Sequence, residues 1–415
     1  MEARALRFCS YPAHAYTRVA RCIPYPGVWT QRPSFSLGSH DIAVSCNPGS
    51  GRSSIVSSSL DFSPPAVDFD VHSIMQDMGA IFSPDGIIES FGNDEEALEA
   101  ANNGVSVVEM SHIGRLRVSG DDRLRFLHNQ STADLQNLQE GQGCDTVLVT
   151  PTARTIDLAT AWVMKRAVIL FISPNMRHNV SNLLNKYIFF ADKVEVEDIT
   201  EKTNFFTVIG PESDQLMEKL NMADIVGKPY GTHLHYAVEG TPVTVGVGNL
   251  LSKAGYSLML STDTAGLVWE RLVKLGAVPM GANCWEHLRI IKGRPAPGKE
   301  LTDEFNVLEA GLWDTISLTK GCYIGQETVA RLITYQGVKQ HLWGLIFNGP
   351  VDQESIIFSD GEKVGKVTSC SSKPENGEYL GLGYIKKKAG GLGLKFQVAE
   401  VSGTVRSVPF VRQTL

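Results

Sequence analysis

The chain has 415 residues, 38 of them basic and 45 acidic, for a formal net charge of −7 at pH 7. Nucleic-acid binding rests on basic surface that neutralises phosphates, so this balance excludes a general nucleic-acid binder. The longest apolar runs, such as 167–172, are far short of the ~20 residues of a membrane-spanning helix, so no membrane span is expected.

The first sixty residues differ from the rest. They hold six Arg, no Lys, eleven Ser and only two acids, Glu2 and Asp41. This is the composition of an organelle transit peptide, and 1–60 is read as one. Arg21 interrupts the apolar residues of 19–23 and Pro24 follows them, so there is no secretory apolar core. The serines of 53–59 point to a plastid stroma, with the mitochondrial matrix as the alternative. Without this segment the basic count falls from 38 to 32 and the acidic count from 45 to 43, for a net charge of −11. The remaining cysteines are Cys144, Cys284, Cys322 and Cys370, with no CxxC pair. No metal site or iron–sulfur cluster held by these four alone is expected.

Residues 61–104 read as a linker running into a short helix near Val71 to Met78. Folded sequence begins at Val105. Strands are predicted over 104–110 and 113–118, then a helix with Asp121 as N-cap and Leu124, Phe126 and Leu127 on its apolar side. Another strand covers 146–149. Alternation over 156–163 predicts a strand that carries Asp157 among apolar residues, with 168–172 as its hairpin partner. Val180, Leu183, Leu184 and Tyr187 fall on one helical face. Further strands are expected at 194–197, 205–209, 233–238 and 256–260, and helices at 212–220, 265–275 and 283–291. The last helix should stop at Gly293, with Pro295 just beyond. After Tyr335 short strands at 342–347, 363–368, 379–385 and 395–401, with Gly turns, predict a small all-β module.

One loop stands out. Lys320-Gly-Cys-Tyr-Ile-Gly-Gln-Glu327 brackets Cys322 with two glycines, which permit positive φ and close backbone approach. Cys322 is its one strong nucleophile, and a neighbouring Lys320 would favour the thiolate. The same spacing suits a plain tight turn around a small, half-buried cysteine.

Several stretches resemble the glycine-cleavage T-protein superfamily. They are Glu109-Met-Ser111, Gly114 to Gly120, Asp121 to Leu127, Leu288-Arg-Ile-Ile-Lys-Gly-Arg-Pro295 and Asn306-Val-Leu-Glu-Ala-Gly-Leu312. The Cys322 loop and Gln130-Ser-Thr-Ala-Asp134 resemble its YgfZ-type branch, which is folate-binding and associated with making or repairing iron–sulfur clusters. The resemblance runs over 105–335. It implies an α+β fold: two interleaved α/β folate-binding domains, the middle part about 204–280, arranged in a ring around a tetrahydrofolate pocket, with a C-terminal β-barrel at 336–415. A pterin edge wants a carboxylate or amide, its ring wants flat apolar surface, and its glutamate tail wants Arg or Lys. Asp157, Arg289, Lys320, Trp313 and Gln326 are the candidate binders of tetrahydrofolate or a one-carbon derivative; Trp162 is a further candidate, and both tryptophans also suit the core. Cys322 and Asp157 are the candidate catalytic residues. His112 and His128 read as ordinary polar-face residues.

The chain departs from the T-protein pattern at two acids. Leu158 follows Asp157 where a second acid stands, and Lys253 takes the place of a glutamate, which inverts the charge offered to an aminomethyl cation. The expected function is therefore folate-dependent support of iron–sulfur cluster assembly or maintenance in the chloroplast, with tetrahydrofolate in a central cavity and the Lys320–Glu327 loop, Cys322 included, at its rim. Assembly factors or cluster-dependent enzymes would be the partners. A tetrahydrofolate-dependent one-carbon transferase with Asp157 as base, and a folate-gated scaffold without catalysis, are the alternatives.

Overall fold

The computed structural model describes residues 71–410, apart from 239 and 376. The predicted transit peptide lies outside the described residues. The short helix expected near Val71 to Met78 is Val71–Asp77. The rest of the stretch to 104 is folded rather than linker, as a hairpin of Ile81–Phe82 and Ile88–Ser90 and helix Asp94–Asn103. Its strands are too short to leave a periodic signal. The second helix places Asp94, Glu95 and Glu96 in its first turn, where carboxylates suit the positive end of the helix dipole. Asp121 does not cap the next helix: Asp122 precedes Arg123–Gln130 and makes no side-chain capping bond.

Two sheets follow, and the chain interleaves them. It enters a six-stranded sheet at Ser106–Glu109 and leaves to build a five-stranded sheet from Gly114–Ser119 to Glu195–Asp198. It returns to the first sheet at Thr203–Ile209. The six-stranded order is His233–Val238, Thr241–Asn249, Ser252–Ser261, Thr203–Ile209, Ser106–Glu109, Val278–Met280. Its last pair is parallel, with Val278 opposite Ser106. The five-stranded order is Gly143–Val149, Thr155–Val163, Ala167–Ile172, Gly114–Ser119, Glu195–Asp198, antiparallel throughout.

The strand Ala167–Ile172 is buried along its whole length, which explains its unbroken apolar run. Val168, Leu170 and Ile172 join a core with Leu116, Val180 and Leu184. Ile169 and Phe171 join a different core with Trp162, Phe205 and Met280. Trp162 stacks on His233 at 5.2 Å and meets Phe171 edge-on at 4.6 Å. It is therefore a core residue, and it dictates its neighbour. A Cβ on Gly246 would lie 2.2 Å from the Trp162 ring.

Helix Ala282–Lys292 ends where the sequence says. Gly293 takes φ of 69°, and the Arg294 N–H folds back onto the Arg289 carbonyl. The C-terminal strands close into a six-stranded barrel, in the order Gln340–Phe347, Tyr379–Lys386, Glu362–Cys370, Ile356–Ser359, Lys395–Val398, Val401–Arg406. Ile356–Ser359 and Val401–Arg406 are additional to the predicted strands.

Candidate functional site

A cavity of about 220 Å³ opens where the two sheets meet helix Ala282–Lys292. Its walls come from strand ends, that helix and the segment after it. His112 and Ile113 follow the strand Ser106–Glu109. Phe171 and Ser173 lie at the end of the strand Ala167–Ile172. Trp285, Glu286 and Arg289 come from the helix, and Arg294 from the segment after it. Ile113, Phe171, Leu251 and Trp285 make the apolar surface; His112, Thr160, Ser173, Glu286, Arg289 and Arg294 supply the polar groups.

Asp157 lies beside this cavity and is sealed from solvent (0 % exposed). One of its carboxylate oxygens accepts from the Leu158 N–H at 2.9 Å and the Ser173 hydroxyl at 2.7 Å. The other accepts from the Ser173 N–H at 2.8 Å. Burial raises its pKa, against the pull of the Ser173 and Leu158 hydrogen bonds. Asp157 thus holds Ser173, which lines the cavity. Leu158, at the position of the missing acid, also lines it. Lys253 is exposed and lies outside the lining set.

Arg289 lines the cavity but is fully engaged. Its Nε and Nη2 donate to Glu286 at 2.7 and 2.8 Å. Nη1 donates to Glu300 at 2.9 Å and the Arg294 carbonyl at 2.6 Å, and Nη2 also reaches Ser369 Oγ of the barrel at 2.7 Å. These acceptors use every N–H a guanidinium has. Lys299 adds a 2.6 Å ion pair to Glu286. Arg294 donates to Asp145 at 2.7 Å, and Asp145 also accepts from Tyr230 at 2.6 Å and Thr160 at 2.7 Å. Those partners hold Asp145 below the usual carboxylate range despite burial.

His112 is the exception in this wall. Its Nδ1 is buried without a hydrogen-bond partner. Burial, then the nearby Arg115 guanidinium, push its pKa from 6.5 down to about 4. Sequence reasoning gave it no role. The signal was its place directly after Glu109-Met-Ser111, at the exit of a strand.

The Cys322 loop does not form the rim of this cavity as expected: none of Lys320, Cys322 and Gln326 is in its lining, and the loop is a second locus. Lys320 is buried, and its ammonium donates to the carbonyls of His128, Ser131 and Ala133. It thereby satisfies carbonyls at the end of helix Arg123–Gln130 and just beyond. Burial pushes it down to about 8. The Ile324 N–H bonds the Asn129 carbonyl, and the Ser317 N–H bonds the Thr132 carbonyl. Gly325 takes φ of 83°, and a Cβ there would meet the Thr150 carbonyl at 2.7 Å. These ties bolt the loop to 128–133 and leave Cys322 exposed. Gln326 opens helix Gln326–Thr334, half-buried. Trp313 is 43 % exposed in a short turn. His128, read from sequence as a polar-face residue, is buried with Nδ1 3.2 Å from Asp134.

Among the described residues no group of three or more His, Cys, Asp and Glu could hold a metal ion, and no helix is long and apolar enough to cross a membrane.

Residues 76–320 match the family of the GCVT N-terminal domain. The chain is 55 % identical over 353 residues to the Arabidopsis thaliana protein named "Putative transferase At1g60990, chloroplastic", covering 85 % of this chain and 82 % of that one. It is 28 % identical over 313 residues to an aminomethyltransferase of Thermus thermophilus, covering 75 % and 86 %. Its fold resembles the crystal structure of glycine cleavage system aminomethyltransferase T from Bartonella henselae. That match has a TM-score of 0.73 at 17 % identity and covers 82 % of this chain and 97 % of the other.

Proposed function

The chain belongs to the GCVT-domain, aminomethyltransferase-like superfamily, and from that premise we propose a YgfZ-type folate-dependent protein that supports iron–sulfur cluster assembly or maintenance in the chloroplast stroma. Tetrahydrofolate binds in the cavity, in the centre of a ring of domains, and Cys322 serves a partner protein from the outer loop. The observation that carries this reading is the separation of the two loci. An exposed thiol is fixed by the Lys320 clamp on a surface outside the cavity lining.

The cavity residues fit the ring of the cofactor. Ile113, Phe171 and Trp285 give flat apolar surface, and the Thr160 and Ser173 hydroxyls lie among them. About 220 Å³ is below the ~300–1,000 Å³ of pockets that enclose drug-sized ligands. It takes a bicyclic ring and leaves a glutamate tail outside. Tetrahydrofolate, when bound, supplies a ring nitrogen and the adjoining bridging amine as carriers of one-carbon units. Asp157 orients Ser173; Arg289 and Arg294, tied to carboxylates, shape the wall rather than add net charge. Arg289 and Lys320 are the candidate partners of the tail; for Arg289 that role would require it to give up a bond to Glu286, Glu300, Ser369 or Arg294.

The arrangement also favours this reading over aminomethyl transfer. Leu158 puts an aliphatic side chain in the wall, and Lys253 stands apart from it. One-carbon transfer from a small amine is the second reading; the relatives named aminomethyltransferase and the raised pKa of Asp157 favour it. The test measures tetrahydrofolate binding to the full chain by calorimetry. It also measures cluster-dependent plastid enzymes in plants that carry only Cys322→Ala or only Asp157→Asn. The proposal expects binding in both variants and lost enzyme activity with Cys322→Ala. Normal activity with Cys322→Ala would sink it. Turnover of a methylamine that Asp157→Asn abolishes would establish the second reading.

A further inference from the structure

Four titratable side chains line the cavity: His112, Glu286, Arg289 and Arg294. Three are committed to ion pairs. Glu286 is shared by Arg289 and Lys299, Arg289 also holds Glu300, and Arg294 holds Asp145. His112 alone among these four has no ion-pair or hydrogen-bond partner within the described residues. Its Nδ1 is buried with no hydrogen-bond partner among the described residues, in a side chain that lines the cavity. An enclosed polar atom left unpaired costs about 1–3 kcal/mol, and a native fold tolerates that where something else completes the bond.

We propose that His112 is a ligand-contacting residue of the cavity, and that it hydrogen-bonds the polar edge of a flat heterocycle lying against Trp285 and Phe171. This deepens the folate reading and rests on it for the identity of the heterocycle. The imidazole suits a single donor or acceptor on that edge, because in the neutral form Nδ1 can either carry the proton and donate or leave it on Nε2 and accept. Burial, and then the Arg115 charge, keep it in that form. The Arg115 guanidinium is bound to the carbonyls of Ser111 and Ile113, on either side of His112, so a second positive charge there is disfavoured. Glu286, the one cavity carboxylate, has its charge taken up by Arg289 and Lys299. A phenyl ring at the same place would keep the packing and lose both nitrogens.

The experiment titrates the full chain with 5-formyltetrahydrofolate and with pterin, as wild type, His112→Phe and His112→Gln. Thermal unfolding shows that each variant is folded. His112→Phe should weaken binding about tenfold, the equivalent of one hydrogen bond of ~1.4 kcal/mol. His112→Gln should recover part of the loss. In the wild type, the ¹⁵N signals of His112 should shift on adding ligand, a readout that needs no mutation. Equal affinity of His112→Phe and wild type, or unmoved His112 signals at saturation, would overturn the inference and leave the folate reading standing. Binding of pterin but not the folate, lost in His112→Phe, would support the inference and overturn the folate reading. No binding of either probe by wild type would overturn both.

Discussion

Replacing Glu300 should separate helix, loop and barrel. This carboxylate is fully buried (0 % exposed). One of its oxygens accepts from Arg289 Nη1 at 2.9 Å and the Ala296 N–H at 3.0 Å. The other accepts from the Thr368 and Ser369 hydroxyls at 2.7 and 2.6 Å. Glu300→Leu keeps the bulk and leaves all four donors without this acceptor. The Thr368 hydroxyl has the Leu382 carbonyl at 3.0 Å as a second acceptor. The Arg289 Nη1 and the Ala296 N–H have no such choice at that point. One unpaired backbone donor costs about 1–3 kcal/mol and a half-paired buried cation more. The total should be about 4 kcal/mol, within the ~3–5 kcal/mol of one-sided loss of a buried ion pair. Glu300→Gln retains an oxygen for Arg289 and Ala296 and turns its amide toward hydroxyls that accept, so about 1–2 kcal/mol should be lost. Urea unfolding at pH 7.5 measures both, provided the m-value is unchanged. If the two variants lie within about 0.5 kcal/mol of each other, the network does not carry the stability assigned to it.

The pH dependence has a definite sign at His112. Its folded pKa, about 4, is below the unfolded value of 6.5, so its contribution is complete above pH 6.5 and is lost as pH falls toward 4. Between pH 7.5 and 5 the loss should be about 2 kcal/mol, and His112→Phe should flatten the stability profile by that amount; equal slopes in urea titrations would refute it. Lys320→Met leaves the carbonyls of His128, Ser131 and Ala133 short of a donor. It should cost about 3 kcal/mol, and Lys320→Arg should not fully restore it, because a planar fork cannot aim three donors as an ammonium does; both are read by urea unfolding. Gly246→Ala should cost about 1–3 kcal/mol by pressing on Trp162, read as a lower melting temperature with a red-shifted tryptophan emission.

Elements with a strong local pattern were legible in the sequence. The apolar run 167–172, the helix stop at Gly293 and the barrel strand of 342–347 all follow from period or punctuation. Thr241–Asn249 gives no strand signal in the sequence because glycines interrupt it. Those glycines answer to distant rings: a Cβ on Gly246 would strike Trp162, and one on Gly248 would strike Tyr230 at 2.3 Å. The site was harder. Asp157 and Arg289 could be singled out as residues, but their engagement by Ser173, Glu286, Glu300 and Ser369 depends on contacts that are mostly distant in sequence. His112 is marked only by its place after Glu109-Met-Ser111, and Arg294 carries no local signal of a cavity, since its walls converge from strand ends and a loop far apart in the chain. Likewise nothing near Lys320 foretells that its ammonium is spent on the Gln130–Asp134 stretch and its neighbours rather than on the thiol beside it.

The interleaving of the two sheets sets an order of completion during synthesis. Strands within 114–198 are contiguous, so the five-stranded sheet can pair fully as soon as that segment emerges. The six-stranded sheet is different. Ser106–Glu109 is made before all of that segment, yet its outer neighbour Val278–Met280 comes last. Until Val278 arrives, one edge of that sheet is a row of unsatisfied backbone groups, a template for foreign strands. A chain halted before residue 278 would pair a finished sheet with an open one, and lesions in this three-residue strand should reduce the yield of soluble protein more than they alter the cavity.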